Sequence, residues 1–354
     1  MKLEALGWNR FFESQVTAEE RKRHYPARVS EEQRGGHRLV TEIGEFKAEV
    51  SGKLRYRAGA RADLPAVGDW VVADIRGAER RATIHRILDR RSKVSRKVAG
   101  RGTSEQILAT NVDTVLLVTS LNRDLSLRRI ERYLTMIWES GASPVVLLNK
   151  ADLCYHVEGF VRLVDSVACR TPVHVISALH STGLEDLASY FEMGRTSVLI
   201  GSSGVGKSTL INRLLKEDIL SVQEIRASDD RGRHNTTSRQ LLFLPGGGMI
   251  IDTPGLRELQ PYDSEEGVER AFEDLEMLAE QCRFRDCQHD SEPGCAVRQA
   301  STEGRLDAER LGNYMNLKRE LRYLARKGDV LARIAERKKW KKVHKAIRRL
   351  DKWK

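Results

Sequence analysis

The chain has 354 residues, of which 40% are hydrophobic and 31% are charged, a composition that excludes a disordered chain and allows two or three domains. No run approaches the roughly 18 apolar residues of a membrane span, and residues 1–13 lack the apolar stretch of a secretory signal, so we expect a cytoplasmic protein without a membrane partner. The formal net charge of +11 lies at the C-terminal end, because residues 317–354 hold 16 Lys and Arg against 4 Asp and Glu, which favours a polyanionic partner.

The first two segments differ in their hydrophobic pattern. Residues 1–32 are polar and mixed in charge, and we interpret them as a helical or loosely packed N-terminal extension. Residues 33–100 contain four or five short alternating runs of strand length, which predict a small β-barrel such as an OB-fold, although a β-meander has the same periodicity. The predicted strands include Phe46–Ser51, Leu54–Arg57, Asp69–Asp74 and Ala82–Leu88.

The third segment, residues 101–275, alternates between apolar runs of strand length and amphipathic stretches of helical length. This alternation predicts an α/β domain with a parallel sheet and helices on both faces. The predicted strands are Thr114–Thr119, Pro144–Leu148, Val173–Ile176, Ser197–Ile200, Gln240–Leu244 and Met249–Ile251, and the predicted helices are 125–140, 161–167, 184–191 and 207–215.

A glycine-rich loop follows the fourth of these strands and matches the phosphate-loop pattern G-x-x-x-x-G-K-[ST]. Its glycines allow backbone N–H groups to surround a β-phosphate, Lys207 would bridge the β- and γ-phosphates with a catalytic role, and Ser208 would ligate Mg²⁺. The predicted phosphate-binding residues are Gly201, Ser202, Ser203, Gly204, Val205, Gly206, Lys207, Ser208 and Thr209.

Two short motifs upstream of the phosphate loop indicate that the base of the bound nucleotide is guanine. Asn149, Lys150 and Asp152 form an N-K-x-D motif directly after a predicted buried strand. The Asp152 carboxylate would accept hydrogen bonds from guanine N1–H and its 2-amino group, which adenine does not offer. Ser177 and Ala178 follow the next strand and would direct backbone N–H groups to the guanine O6. The predicted nucleotide is therefore GTP or GDP.

A third motif, D-x-x-G at Asp252–Gly255, would hold Mg²⁺ through Asp252 and sense the γ-phosphate through Gly255. A polar, aperiodic loop precedes it, in which Thr236 or Thr237 would complete the Mg²⁺ shell. The residue after Gly255 is Leu256, where Ras-like enzymes carry a water-positioning Gln. His234 is our candidate for the missing catalytic group, with a solvated loop histidine as the alternative.

The order of these motifs differs from that of a Ras-like GTPase. There the phosphate loop comes first, followed by the switch Thr, D-x-x-G, N-K-x-D and S-A-x. Here N-K-x-D and S-A-x come first. The same sheet forms if the usual ends are joined and the chain is cut after D-x-x-G, so the sequence predicts a circularly permuted GTPase domain.

The last segment, residues 276–354, combines a cysteine cluster with a basic helical tail. Cys282, Cys287, His289 and Cys295 lie within 14 residues, and three thiolates with one imidazole suit a single tetrahedral, structural Zn²⁺. Reactive thiols are the alternative interpretation. The tail carries Trp340 and Trp353 among Lys and Arg. Its apolar positions are too sparse for a strong membrane-surface helix, which favours RNA over lipid as its partner.

Taken together, these features resemble the ribosome small subunit-dependent GTPase A (RsgA) family over nearly the whole chain. Pro65–Trp70 resembles the family's OB-domain signature, and Glu105–Asp113 resembles the segment that opens its GTPase domain. One departure is the switch, which reads His-Asn-Thr-Thr at 234–237 where the family usually reads His-Thr-Thr, so that either threonine can be the Mg²⁺ ligand.

The resemblance implies a monomeric, ribosome-stimulated GTP hydrolase that binds 16S rRNA on a late 30S ribosomal subunit. Hydrolysis to GDP and phosphate would release it from the maturing subunit. An alternative keeps the GTP-regulated RNA-binding factor but places it on the large subunit or in translation. A third interpretation makes the protein an RNA chaperone with the GTPase as a timer.

Overall fold

The computed structural model describes residues 1–33, 35–97, 105–121, 125–217, 239–252 and 265–323. The chain forms two compact units, Met1–Tyr262 and Asp263–Lys354, which we treat separately. Four predicted site residues, His234, Thr236, Thr237 and Gly255, lie outside the described residues, as does the tail from residue 324. Within the described ranges, no helix has both the length and the apolar character needed to cross a membrane.

The first unit opens with a closed five-stranded barrel. The strands pair in the order β1-β2-β3-β5-β4, and β4 returns to β1 to close the barrel; β3 and β5 are parallel and the other pairs are antiparallel. This topology confirms the predicted OB-like barrel. The strands are β1 Tyr25–Gln33, β2 Gly36–Thr41, β3 Gly44–Val50, β4 Trp70–Arg76 and β5 Arg81–Ile87.

The barrel differs from the sequence pattern in two places. Strand β1 begins at Tyr25, inside the segment interpreted as an extension. The predicted strand Leu54–Arg57 is wrong, because these residues belong to the short helix α3, Gly52–Arg57. The alternation of Leu54 and Tyr56 with basic residues imitates a strand, but the Ser51 side chain accepts a hydrogen bond from the Leu54 N–H and starts a helix instead.

The N-terminal segment, which includes α1 Arg10–Glu13 and α2 Ala18–Arg23, packs on the barrel through aromatic side chains. The Trp8 ring contacts the buried Trp70 ring edge-on at 4.8 Å between centroids, and Phe12 lies 5.8 Å from the same ring. Beside them, the fully buried Arg28 guanidinium donates to the backbone carbonyls of Leu6, Gly68 and Asn111. One side chain thus connects the N-terminal segment, the barrel and the segment around Asn111, just before the strand Thr114–Ser120.

The second part of this unit is the predicted α/β fold. Strands β10, β9, β8, β11 and β13 are parallel neighbours in that order, and β12 joins β13 antiparallel. A separate ribbon of β6 and β7 precedes this sheet. The strands are β6 Lys93–Lys97, β7 Glu105–Thr110, β8 Thr114–Ser120, β9 Ser143–Asn149, β10 Val173–Val175, β11 Thr196–Ile200, β12 Arg239–Phe243 and β13 Met249–Asp252.

Helices cover this parallel sheet. Their apolar residues, among them Leu134, Val164 and Leu210, are fully buried, as the helical periodicity predicts. The segment Glu185–Phe191 is a 3₁₀ helix. The α-helices are α4 Leu127–Glu139, α5 Val157–Ala168 and α6 Lys207–Leu215.

One strand pairing joins the barrel to the parallel sheet. Glu31 and Glu32 of β1 pair with Gln240 and Arg239 of β12, so that eleven strands form one continuous sheet. Arg239 also donates to the Glu32 carboxylate at 3.0 Å and to the Ile107 carbonyl at 3.2 Å. Strand β12 therefore belongs to both parts of the unit.

The second unit is a small helical structure. Its buried side chains include Phe272, Leu275, Val297 and Tyr314. A buried Arg310 forms a bidentate ion pair with Asp274 at 2.6 and 2.8 Å. The helices are α7 Glu265–Ala271, α8 Glu273–Ala279, α9 Ala296–Thr302 and a helix over 308–323.

Candidate functional site

The predicted nucleotide motifs meet at one edge of the parallel sheet. Strands β9, β10, β11 and β13 run in the same direction, and each motif begins where one of them ends. In open α/β sheets, ligands bind outside the carboxyl ends of the strands. The predicted guanine motifs after β9 and β10 and the predicted phosphate motifs after β11 and β13 therefore share this edge, with β8 between β9 and β11.

The phosphate loop requires glycine at both of its ends. Gly201 has φ +144° and a Cβ there would lie 2.1 Å from the Val118 carbonyl oxygen; Gly206 has φ +99° and a Cβ there would lie 2.3 Å from Asn149 Nδ2. Lys207 Nζ donates to the carbonyls of Gly201 at 2.8 Å and Ser202 at 2.6 Å. These contacts wrap the loop around the ammonium group that would face the phosphates.

Asn149 connects the predicted base-binding and phosphate-binding motifs. It is 2% exposed. Its Nδ2 donates to the Val205 carbonyl of the phosphate loop at 2.7 Å, and its Oδ1 accepts from the Ala178 N–H at 2.9 Å. A single amide therefore fixes three motifs that are far apart in sequence. The sequence predicted that this residue belongs to the nucleotide site, but it did not predict these partners.

The residues predicted to recognise the base lie next to this amide. Asp152 is exposed, and its Oδ1 accepts a hydrogen bond of 2.5 Å from the Ser177 hydroxyl. Lys150 adopts a left-handed backbone conformation with φ +65°, which turns the chain sharply after β9. The Ser177 hydroxyl also accepts from the His180 N–H at 3.3 Å. The carboxylate is thus held in place while remaining open to a ligand.

The residues predicted to hold Mg²⁺ are only partly described. Asp252 is the last residue of β13 and Ser208 lies in the first turn of α6. Strand β13 is the direct parallel neighbour of β11, with Val198 opposite Ile251, so both residues belong to the same corner of the sheet. Their predicted partners, Thr236 and Thr237, lie outside the described residues, as does Gly255.

Two arginines contact the motifs without having been predicted. Arg129 Nη1 of α4 donates to the Ser202 hydroxyl at 3.1 Å. Arg213 Nη2 of α6 donates to the Leu179 carbonyl at 3.2 Å. Neither lies in a motif, and their helical positions alone do not distinguish them from solvent-exposed arginines.

Replacing Asp152 with asparagine is expected to weaken GTP binding by at least about a hundredfold, because the amide would present a donor to the guanine 2-amino group. Xanthosine nucleotides have a carbonyl at that position and should bind the variant better than guanosine nucleotides. Competition binding with GDP and XDP measures the switch. An unchanged thermal melting curve is the control, since asparagine can still accept from Ser177. A variant that keeps its preference for GDP would contradict this role.

A second candidate site lies in the second unit. The four predicted metal-ligating atoms of Cys282, Cys287, His289 and Cys295 all lie within 4.8 Å of one another. Cys282 Sγ is 3.9 Å from Cys295 Sγ and 3.7 Å from His289 Nδ1, and Cys295 Sγ is 3.4 Å from the same nitrogen. All three cysteines are free thiols.

These separations fit a tetrahedral ion. Bonds of about 2.3 Å to sulfur and 2.0–2.1 Å to nitrogen require edges of about 3.8 Å between sulfurs and about 3.6 Å between sulfur and nitrogen. Burial, and secondarily the charge of Lys318, lowers the pKa of His289, which favours the neutral imidazole that binds metals. Burial raises the pKa of the Cys287 thiol to about 11, so a metal would have to displace its proton.

The loop that carries these ligands is organised by one carboxylate. Glu292 accepts hydrogen bonds from the N–H groups of Gln288, Asp290 and Ser291 at 2.9–3.1 Å, and backbone donors lower its pKa to about 2. Cys295 caps helix α9, with its sulfur accepting from the Arg298 N–H. The ligands are thus fixed by local bonds as well as by the sequence spacing.

The fold and the site define a circularly permuted GTPase with an OB-like barrel and a Cys₃His cluster. The family described as RsgA GTPase matches residues 87–261. A small ribosomal subunit biogenesis GTPase RsgA from Opitutus terrae is 44% identical over 98% of this chain and 97% of its own. A relative of the same description from Oceanobacillus iheyensis, RsgA 1, is 46% identical over 90% of this chain and 91% of its own.

Solved structures agree with these relatives. The crystal structure of YjeQ from Thermotoga maritima has a TM-score of 0.64 and 26% identity, covering 84% of this chain and 98% of that one. YloQ, described as a circularly permuted GTPase, has a TM-score of 0.62 at 22% identity over 87% of this chain and 98% of its own, which is a likeness of fold. The chain belongs to the RsgA family.

Proposed function

We propose that this protein hydrolyses GTP to GDP and phosphate while bound to the small ribosomal subunit and leaves the subunit afterwards, late in its maturation. The observation that carries the GTPase assignment is the Asn149 amide, which bonds to the phosphate loop and to the S-A-x loop. The subunit assignment follows the relatives, which are named small ribosomal subunit biogenesis GTPases.

The residues at the sheet edge have distinct roles in this reaction. Lys207 would neutralise charge on the β- and γ-phosphates, and the backbone N–H groups of residues 201–206 would surround the β-phosphate. Ser208 and Asp252 would hold Mg²⁺, together with Thr236 or Thr237, and the ion would supply further neutralisation of the phosphates. His234 would position the attacking water in place of the usual Gln.

The metal cluster would have a structural role. Its four positions leave no open coordination site, and their separations fit one Zn²⁺. We assign the barrel, the zinc unit and the basic tail to 16S rRNA, because several weak contacts on one chain raise the overall affinity. The protein would act as a cytoplasmic monomer.

The test is steady-state GTP hydrolysis with and without purified 30S subunits, with 50S subunits as the control. Strong stimulation by 30S alone is expected, and His234→Ala should lower the stimulated rate while GTP affinity stays the same. Equal stimulation by 50S would favour the alternative, a factor acting on the large subunit or in translation. Absence of stimulation by either would overturn the subunit assignment.

A further inference from the structure

Helix α3 projects charged and aromatic side chains from the barrel. Its base is fixed, because the Ser51 N–H donates to the Ile84 carbonyl of β5 at 2.9 Å and Leu54 packs against the barrel core. The residues around Leu54 point outward as a consequence. Tyr56 is 92% exposed, although burial of a tyrosine ring is ordinarily favourable.

Three cations surround this tyrosine. Lys53, Arg55 and Arg57 are all exposed, and within the part of the chain that the structure describes none of them forms an ion pair or a side-chain hydrogen bond. Most other arginines of the barrel do: Arg61 pairs with Glu32, Arg86 with Glu20 and Arg90 with Asp69. We call these four residues, Lys53, Arg55, Tyr56 and Arg57, the α3 surface.

Two grooves flank the α3 surface. Lys53 and Arg57 line a groove of about 660 Å³ in which four Lys and Arg side chains accompany two carboxylates, Asp63 and Asp89. Arg55 lines a second groove of about 240 Å³ in which three Arg side chains accompany one carboxylate, Glu32. A strand of polyanion that passes over the tyrosine would therefore meet an excess of positive charge on both sides.

We propose that the α3 surface binds an unpaired nucleotide of RNA, with its base stacked on Tyr56 and the adjoining phosphates at Arg55 and Arg57. This inference rests on the proposed function, which supplies RNA as the partner. An exposed ring stacks on any base face, and basic side chains beside it hold the backbone, which is how proteins bind single strands without reading sequence. In a duplex the bases are stacked on one another and unavailable to the ring.

Lipid is the poorer ligand for this surface. A helix that lies on a membrane needs several large apolar residues on one face, whereas α3 offers Tyr56 as its one exposed large hydrophobic side chain. An acidic protein partner would use the cations but would not require the aromatic ring. The ring and the charges can therefore be tested separately.

The location of the bound RNA is tested by photo-crosslinking the full-length, zinc-loaded protein to a 12-nucleotide RNA containing 5-iodouridine. Crosslinked peptides are mapped by mass spectrometry after digestion with a protease that does not cleave at Lys or Arg, because cleavage at the residues around Tyr56 would leave peptides too short to map. A crosslink at Tyr56 with the single strand, and its loss when the same RNA is annealed to its complement, is expected. Crosslinks confined to other parts of the chain would overturn the proposal.

The energetics are tested by fluorescence anisotropy with the same single strand at several salt concentrations. Tyr56→Ala should weaken binding about tenfold with an unchanged salt slope, and Tyr56→Phe should bind like the natural protein. Replacing Arg55 and Arg57 together with Gln should lower the salt slope by about 1.4, since each phosphate contact of a single strand contributes about 0.7. Tyr155→Ala is the matched control, because Tyr155 is fully exposed but lies outside the barrel.

Measurements of 30S affinity and of GTP hydrolysis distinguish this proposal from the proposed function. Tyr56→Ala should lower the affinity for 30S subunits about tenfold and leave GTP hydrolysis without subunits unchanged. If the natural protein is not stimulated by 30S subunits, the proposed function fails even when the Tyr56 crosslink is found. If stimulation is normal and Tyr56→Ala binds RNA and subunits as the natural protein does, the α3 surface has no such role.

Discussion

Replacing Lys207 with alanine is expected to reduce GTP hydrolysis by about two to three orders of magnitude, the usual cost of removing one preorganised group that stabilises transition-state charge. The Nζ lies between the Gly201 and Ser202 carbonyls, so the substitution removes both the charge and two bonds that shape the loop. Single-turnover hydrolysis and binding of a fluorescent GTP analogue measure the two effects separately.

Lys207→Arg is the informative companion, because arginine keeps the charge but carries it on a planar group that does not fit the same two carbonyls. We expect it to be nearly as inactive as the alanine variant. Both variants should still sediment with 30S subunits and fail to cycle. Hydrolysis within threefold of the natural rate would contradict the catalytic role of Lys207. Loss of hydrolysis with RNA binding and assembly function in cells undiminished would favour the RNA-chaperone interpretation with the GTPase as a timer.

Removing the proposed Zn²⁺ is expected to unfold the second unit. Structural zinc contributes roughly 10–16 kcal/mol of apparent binding free energy to small zinc domains, and the apolar core around Phe272 and Tyr314 is small. Cys287→Ser should reduce the zinc content from one ion per chain to nearly none and expose residues 265–323 to rapid hydrogen exchange. Mass spectrometry of the intact protein and amide exchange report these two quantities.

The control for this experiment is Cys169→Ser, which alters a thiol outside the cluster. It should keep both the zinc and the exchange protection. The first unit should exchange normally in both variants, since its buried core does not include the cluster. A Cys287→Ser protein that retains protection in the second unit would show that the metal is not its main support.

Much of the fold was predictable because its signals are local. The bounds of α6 follow from the phosphate-loop pattern and the helical period, and the buried strands β8 and β9 follow from continuous apolar runs. The nucleotide motifs are likewise local, since each occupies a single turn after a strand. Their order along the chain was enough to predict the permutation, because parallel strands bring all these turns to one edge.

The remainder depends on specific hydrogen bonds and on side-chain packing, most of it between residues that are distant in sequence. The sequence around Leu54 alternates like a strand, and its helical state is decided by the Ser51 cap and the packing of Leu54 on the barrel. The buried Arg28 looks like any surface arginine until its three carbonyl partners are known. The pairing of Glu32 with Arg239 spans 207 residues, and no periodicity encodes it.

The permuted order of the motifs also determines when, during synthesis, the chain contains all the residues predicted to bind the guanine nucleotide. The predicted guanine-binding turns after β9 and β10 leave the ribosome before the phosphate loop, which follows β11 and lies about 50 residues after Asn149. Strand β8 pairs with β11 only after a further 83 residues, the separation between Thr114 and its partner Ser197, and β1 pairs with β12 after a longer interval still. A nascent chain therefore contains the residues predicted to recognise the base before it has those predicted to hold the phosphates. Nucleotide can stabilise the fold only once both ends of the sheet have been made.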